Sequence, residues 1–221
     1  MSHLSRTSVR RAAALAGAVA ISASLAAAAV GASSAQAAVS PPITVEAATF
    51  PSISAGKLHT CAIKANETVA CWGNNDFGQA SVPADLGTAK QITAGYLHTC
   101  AVKTDDTAAC WGSNDSGQLS VPADLGPVKQ ITAGEVHTCA IKTNDTATCW
   151  GADFFGEASV PADLGTVKQI TAGEYHTCAI KTNDTTACWG SNGQGQASVP
   201  ADLGPVKQIT VGGGHNCAIK A

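Results

Sequence analysis

His59, Cys61 and Cys71 lie close enough in sequence to share one site, and such a trio supports one of two chemistries. An imidazole and two thiolates would supply three ligands to a tetrahedral metal ion. Alternatively the thiols oxidise to a disulfide, which leaves the imidazole as a structural hydrogen-bonding group. The trio recurs as His98, Cys100 and Cys110, then as His137, Cys139 and Cys149, and again as His176, Cys178 and Cys188, always 39 residues on. His215 and Cys217 begin a fifth copy. Zinc sites usually hold two cysteines two to four residues apart, whereas these stand ten apart. A catalytic group is not needed five times over. The pattern therefore reads as structure, with no metal and no cofactor.

The elements that hold the trio follow from the repeat. In the unit that begins at Val167, Val167 to Ala172 is a β-branched strand ending at Gly173. From His176 to Lys181 the residues alternate, with His176, Cys178 and Ile180 on one face and Thr177, Ala179 and Lys181 on the other. Thr182 to Thr185 is a turn, and Ala187-Cys188-Trp189 returns. Three short strands per unit predict an all-β chain, and no stretch keeps helical periodicity. With the turn centred on Asn183, Cys178 and Cys188 lie opposite each other, at a separation a disulfide can close. The same register pairs Cys61 with Cys71, Cys100 with Cys110 and Cys139 with Cys149, and leaves Cys217 unpaired. The repeated histidines are expected to donate to nearby backbone, and each tryptophan is expected in the core.

Residues 1–37 read as a signal peptide: Arg6, Arg10 and Arg11 precede an uncharged, Ala-rich run that ends in Ala35-Gln36-Ala37. Residues 38–49 form a linker, and 50–221 the repeat domain. Cleavage would remove every arginine and leave ten lysines against 16 acids, a formal charge of −6. Such a chain is a poor partner for nucleic acid, which is bound through Lys and Arg. No second apolar span follows, so the product is expected to be secreted and free of the membrane. Its cysteines suit an oxidising compartment.

H-T-C-A-I-K, a polar turn, C-W-G and N-x-x-G-Q together resemble the repeat of the regulator of chromosome condensation family. That family's pattern is H-S-L-A-L, a D-G turn and W-G-x-N-x-x-G-Q-L. The resemblance covers essentially all of 50–221 and implies propeller-type blades, about four and a half of them. It is nearest to short-repeat, secreted bacterial members, one of which is a seven-bladed inhibitor of β-lactamases. This chain departs from the pattern by placing cysteines on both hairpin strands and by replacing the D-G turn with pairs such as Asn66-Glu67 and Asn183-Asp184. A seven-bladed ring needs about 270 residues, so three arrangements stay open: a smaller closed ring, an open arc, or a ring completed by another copy. One form of closure would pair Phe50 to Ser54 with His215 to Lys220.

Function is sought where the repeat varies. One variable row follows each Ala-Gly and includes Leu58, Tyr96, Leu97, Glu135, Glu174 and Tyr175; another follows each Trp-Gly and includes Phe77, Phe154 and Phe155. Apart from the repeated tryptophans, these rows hold every aromatic residue except Phe50. Aromatics and acids in loops on a rigid scaffold point to protein recognition. The expected function is that of a secreted, non-enzymatic binding protein whose partner is another extracellular protein. A cell-wall or carbohydrate-binding module is the alternative. Guanine-nucleotide exchange and β-lactamase inhibition rest on the resemblance alone. The sequence holds no G-x-S-x-G, no H-E-x-x-H and no phosphate loop. No isolated acid or histidine is expected to break the repeat.

Overall fold

The computed structural model describes residues 53–221. The leader, the linker and Phe50 lie outside the described residues. Each unit folds as a three-stranded antiparallel sheet, or blade. Blade 1 comprises β1 (Ile53–Ala55), β2 (His59–Ile63) and β3 (Val69–Gly73). Blade 2 comprises β4 (Ala89–Ala94), β5 (His98–Lys103) and β6 (Ala108–Gly112). Blade 3 comprises β7 (Val128–Ala133), β8 (His137–Lys142) and β9 (Ala147–Gly151). Blade 4 comprises β10 (Val167–Ala172), β11 (His176–Lys181) and β12 (Thr186–Gly190). The fifth has β13 (Val206–Val211) and β14 (Asn216–Lys220) alone. β1 pairs only with β2 and β14 only with β13, so among the described residues β1 and β14 do not close the array. The blades form a partial propeller.

Register within each hairpin puts cysteine opposite cysteine, for example Cys178 opposite Cys188. The structure joins Cys61–Cys71, Cys100–Cys110, Cys139–Cys149 and Cys178–Cys188, with Cα atoms 4.0–4.1 Å apart. Cys217 is free and exposed. The turns need a left-handed residue, which is the second of each pair: Glu67, Asp106, Asp145 and Asp184, with φ between 63° and 70°. Asp tolerates that conformation, and at the first hairpin a glutamate adopts it.

Alternation along the middle strand has a packing cause. Cys139 and Ile141 point forward and are covered by Val167, Ile170, Ala179 and Trp189 of the next blade, with Leu164 of the connecting segment. Cys100 and Val102 are covered in the same way by Val128, Ile131, Ala140 and Trp150. The forward face of one blade and the backward face of the next thus make one core. Every apolar residue in it is nearly dry, and burial of one large side chain contributes about 1.5–3 kcal/mol.

Polar groups inside these cores are matched across blades. Gln91 Nε2 donates to the Ile131 carbonyl and its Oε1 accepts from the Ile131 amide, at 2.8 and 2.9 Å. Gln130 and Gln169 treat Ile170 and Ile209 alike. His98 Nε2 lies 3.0 Å from Thr138 Oγ1, whose hydroxyl donates to the Gln118 carbonyl at 3.0 Å. Because the hydroxyl's hydrogen is committed there, the imidazole Nε2 must carry the proton and donate. His59 and His137 reach Thr99 and Thr177 in the same way, and His176 reaches Asn216 Oδ1. The histidines therefore donate to a side chain of the following blade, which relays to backbone, and not to backbone directly. Gly95 exists for this ring: a Cβ there would stand 2.7 Å from His98 Cε1 and 2.4 Å from the Gly134 carbonyl.

The tryptophans follow the same logic, with one exception. Trp111, Trp150 and Trp189 are buried against the preceding blade, and the indole of Trp111 donates to the Gln79 carbonyl at 3.0 Å. Trp72, on the outward side of blade 1, is 51% exposed, against 6–8% for the other three. It is not a core residue in this chain.

Two measurements follow. Acrylamide should quench one tryptophan in four readily, and Trp72→Phe should remove that fraction; an unchanged quenchable fraction would contradict the exposed backward face. Burial holds His98 down to a pKa of about 3 and His137 to about 4, with the neighbouring histidines adding to the depression for both. Their neutral forms belong to the folded state, so the unfolded chain takes up protons first as pH falls below about 6.5. The melting temperature should drop as pH falls from about 6.5, the share owed to His137 being lost by about pH 4 and that owed to His98 by about pH 3. A flat profile from pH 7 to 5 would remove the histidines from the stability of the fold.

Candidate recognition face

Both variable rows open at the same end of the blades. The loop after each third strand starts beside the loop that follows each first strand: the Asn74 amide donates to the Leu58 carbonyl at 2.9 Å, and the Ser191 amide to the Tyr175 carbonyl at 2.8 Å. Asp76, Asp115, Glu135, Asp153, Glu157 and Glu174 lie at this end, where Lys57 is the single lysine among the described residues. The other lysines sit at the hairpin-turn end, where Lys90, Lys129 and Lys168 pair with Asp106, Asp145 and Asp184. The loop end is therefore strongly acidic and the turn end balanced.

At the centre of the loop end is a cup of about 460 Å³. Its wall is the Ala-Gly step of the first four units and Val211-Gly212 of the fifth, each with the next residue: Lys57, Tyr96, Glu135, Glu174 and Gly213. Lys57 crosses from blade 1 towards blade 3, and its Nζ lies 3.7 Å from Glu135 Oε2 and 4.2 Å above the centre of the Tyr96 ring. Burial pushes the Glu135 carboxyl above the usual range, and the hydrogen bond and charge of Glu174 push the same way, with Lys57 opposing. Tyr175 is raised as well, chiefly by the charge of Glu135.

Aromatic side chains surround the cup. Phe154 is 74% exposed, and Phe155, Phe77 and Leu58 are about half exposed. Phe155 meets Tyr175 of the next blade edge-on, with ring centres 5.4 Å apart. Leu97 and Tyr96 are half-buried. Of the sequence-predicted residues, Tyr96, Glu135 and Glu174 line the cup; Phe155 and Tyr175 make one cluster; Leu58, Phe77 and Phe154 stand apart around the rim. Lys57 belongs to the same variable row, yet its link to Glu135 depends on how sharply the blades curve, which the row does not reveal. Among the described residues, no cluster of three or more His, Cys, Asp or Glu could hold a metal ion.

Acids do break the repeat, at Asp105, Asp153 and Glu157, and of these Glu157 is the buried one. Glu157 stands where the other units have Gln79, Gln118 and Gln196, and the irregularity is visible in the sequence. In those units the amide clamps the loop twice. Gln118 Oε1 accepts from the Ser116 amide at 2.9 Å and its Nε2 donates to Ser113 Oγ at 3.4 Å. Glu157 keeps only the first bond, from Phe155 N to Oε2 at 2.7 Å, because Ala152 replaces the serine. Its Oε1 is buried with no hydrogen-bond partner among the described residues. Leaving such an atom unsatisfied costs about 1–3 kcal/mol. Glu157→Gln combined with Ala152→Ser should rebuild the clamp, raising unfolding stability at pH 7 by roughly 1–2 kcal/mol in a denaturant titration. A less stable double variant would mean that the carboxylate has a partner of its own.

Comparison with known proteins agrees with this geometry. The model of the regulator of chromosome condensation (RCC1) repeat matches residues 52–79, 89–118, 128–157 and 167–196. No curated protein sequence matches. Among solved structures, the ectodomain of the Physcomitrella patens receptor kinase CR4 is similar with 27% identity and a TM-score of 0.59, over 72% of this chain and 44% of that one. The ectodomain of the Arabidopsis thaliana receptor kinase ACR4 is similar with 22% identity and a TM-score of 0.66, over 78% and 68%. Prp20p from Saccharomyces cerevisiae shares 14% identity with a TM-score of 0.52, over 76% and 69%. The chain thus spans less than half of the moss ectodomain.

Proposed function

Since this chain belongs to the regulator of chromosome condensation repeat family, we propose that it is an exported, non-enzymatic protein that binds another extracellular protein on its loop face. The observation that carries the reading is where exposed apolar surface lies. Ile53, Trp72 and Ile219, on the outward sides of the first and last blades, are explained by those blades having one neighbour each. Leu58 belongs with them, since its equivalents Leu97, Val136 and Tyr175 are half-buried on blades that have a preceding neighbour. Phe77, Phe154 and Phe155 have no such explanation, and all three lie at the loop end. Large apolar side chains grouped on a rigid scaffold and rimmed by charge mark an interaction site. The four disulfides and the likeness to receptor ectodomains support a role outside the cytoplasm.

The aromatics could equally stack on sugar rings, and a single experiment separates these readings. Immobilised chain and its Phe154→Ala/Phe155→Ala variant are each exposed to the secreted fraction of the source cells and to a glycan array. Both side chains are well exposed, so the variant should melt within a few degrees of the wild type. The proposal expects one protein species to be retained, with capture reduced at least about tenfold by the substitutions. Glycan binding without a retained protein would replace protein recognition by carbohydrate recognition. Equal capture by the variant would remove the loop face from function.

A further inference from the structure

Lys57 is the one lysine drawn to the acidic end, and it spans two blade positions to reach its place. There it lies between the Tyr96 ring and Glu135, and Glu174 stands in the wall of the same cup, its charge acting on the Glu135 carboxyl. A ring face and two adjacent carboxylates are the parts of an ammonium cage. Adjacent carboxylates repel unless a proton or a cation sits with them, and here the chain's own ammonium does so. The hold on it is loose. The Lys57 side chain is 55% exposed, whereas that of Glu135 is only 14% exposed, so the cage is built and its occupant is not.

We propose that this cage is the receptor for a lysine side chain presented by the partner, and that Lys57 is an intramolecular stand-in displaced when the partner binds. The proposal deepens the reading of the loop face and depends on it for the partner, whose surface must then carry a lysine among apolar groups. Specificity follows from the geometry. A neutral side chain cannot compensate Glu135 and Glu174, and a carboxylate would be repelled. Displacement is easy because an exposed ion pair contributes little, so the stand-in tunes affinity without closing the site. Tyr175, beside Glu135, and Phe155, packed on Tyr175, connect the cage to the aromatic rim.

The test needs no identified partner. Binding of Nα-acetyl-lysine N-methylamide is followed by NMR titration on the full chain at pH 7, with the norleucine analogue as neutral control. Lys57→Ala should bind the lysyl probe about three- to fivefold more tightly than wild type, since a competitor worth a surface ion pair is gone. Glu135→Gln or Glu174→Gln in that background should lower binding at least about tenfold, as should Tyr96→Leu. Glu135→Gln is nearly isosteric, so it keeps the test valid if Tyr96→Leu perturbs the fold. Equal binding of the norleucine probe, failure of Lys57→Ala to bind the lysyl probe, or indifference to Glu135→Gln would each overturn the cage. If the probe binds as expected while the Phe154→Ala/Phe155→Ala variant captures protein normally, the cage stands and the aromatic rim falls. The reverse outcome removes the cage alone.

Discussion

Everything in this fold depends on one interface repeated along the chain: the forward face of a blade, with its disulfide and aliphatic residue, closed by the backward face of the next. A three-stranded sheet of this size has too little apolar surface to be stable alone, and each blade gains a second covered face only by stacking. The disulfide serves that stacking. It locks two short strands in register, so the forward face is already flat when Ile131 or Ile170 arrives. The interface is also demanding in polarity. The Nε2 of each buried histidine and the amides of Gln91, Gln130 and Gln169 are satisfied only by the neighbouring blade, so a wrong spacing between blades would strand several polar groups at once.

This coupling explains why the loop face can vary. The chemistry that fixes blade spacing is spent on positions that repeat the same residue or one that makes the same hydrogen bond, as Asn216 does in place of threonine. The residues after each Ala-Gly are carried on a rigid base but take no part in it, which is how a ring of equivalent positions can hold Lys57, Tyr96, Glu135, Glu174 and Gly213 around one cup. The same rigidity lets Lys57 find a partner two blades away at a defined distance.

Much of this was legible in the sequence because the period is exact. Strands, turn centre and cysteine pairing follow from alternation and symmetry inside one unit. Contacts between units are harder to read. Thr99, Thr138 and Thr177 are seen to recur, but nothing in their spacing says that each accepts a hydrogen bond from the histidine forty positions earlier. Trp72 reads like its three equivalents, and only the absence of a covering blade among the described residues sets it apart. Glu157 was visible as an odd letter in a run of glutamines, and its meaning required seeing that Ala152 had removed the second half of the clamp.

The placement of the disulfides has a mechanical consequence. Every bridge closes within a single hairpin, its cysteines ten positions apart, and none joins one blade to another. Under tension applied at the two ends, the load would pass through hydrogen bonds and apolar contacts alone wherever it crosses from blade to blade. The chain would lengthen in equal steps, one blade per rupture, with each step shortened by the hairpin that its own sulfur bridge keeps from extending.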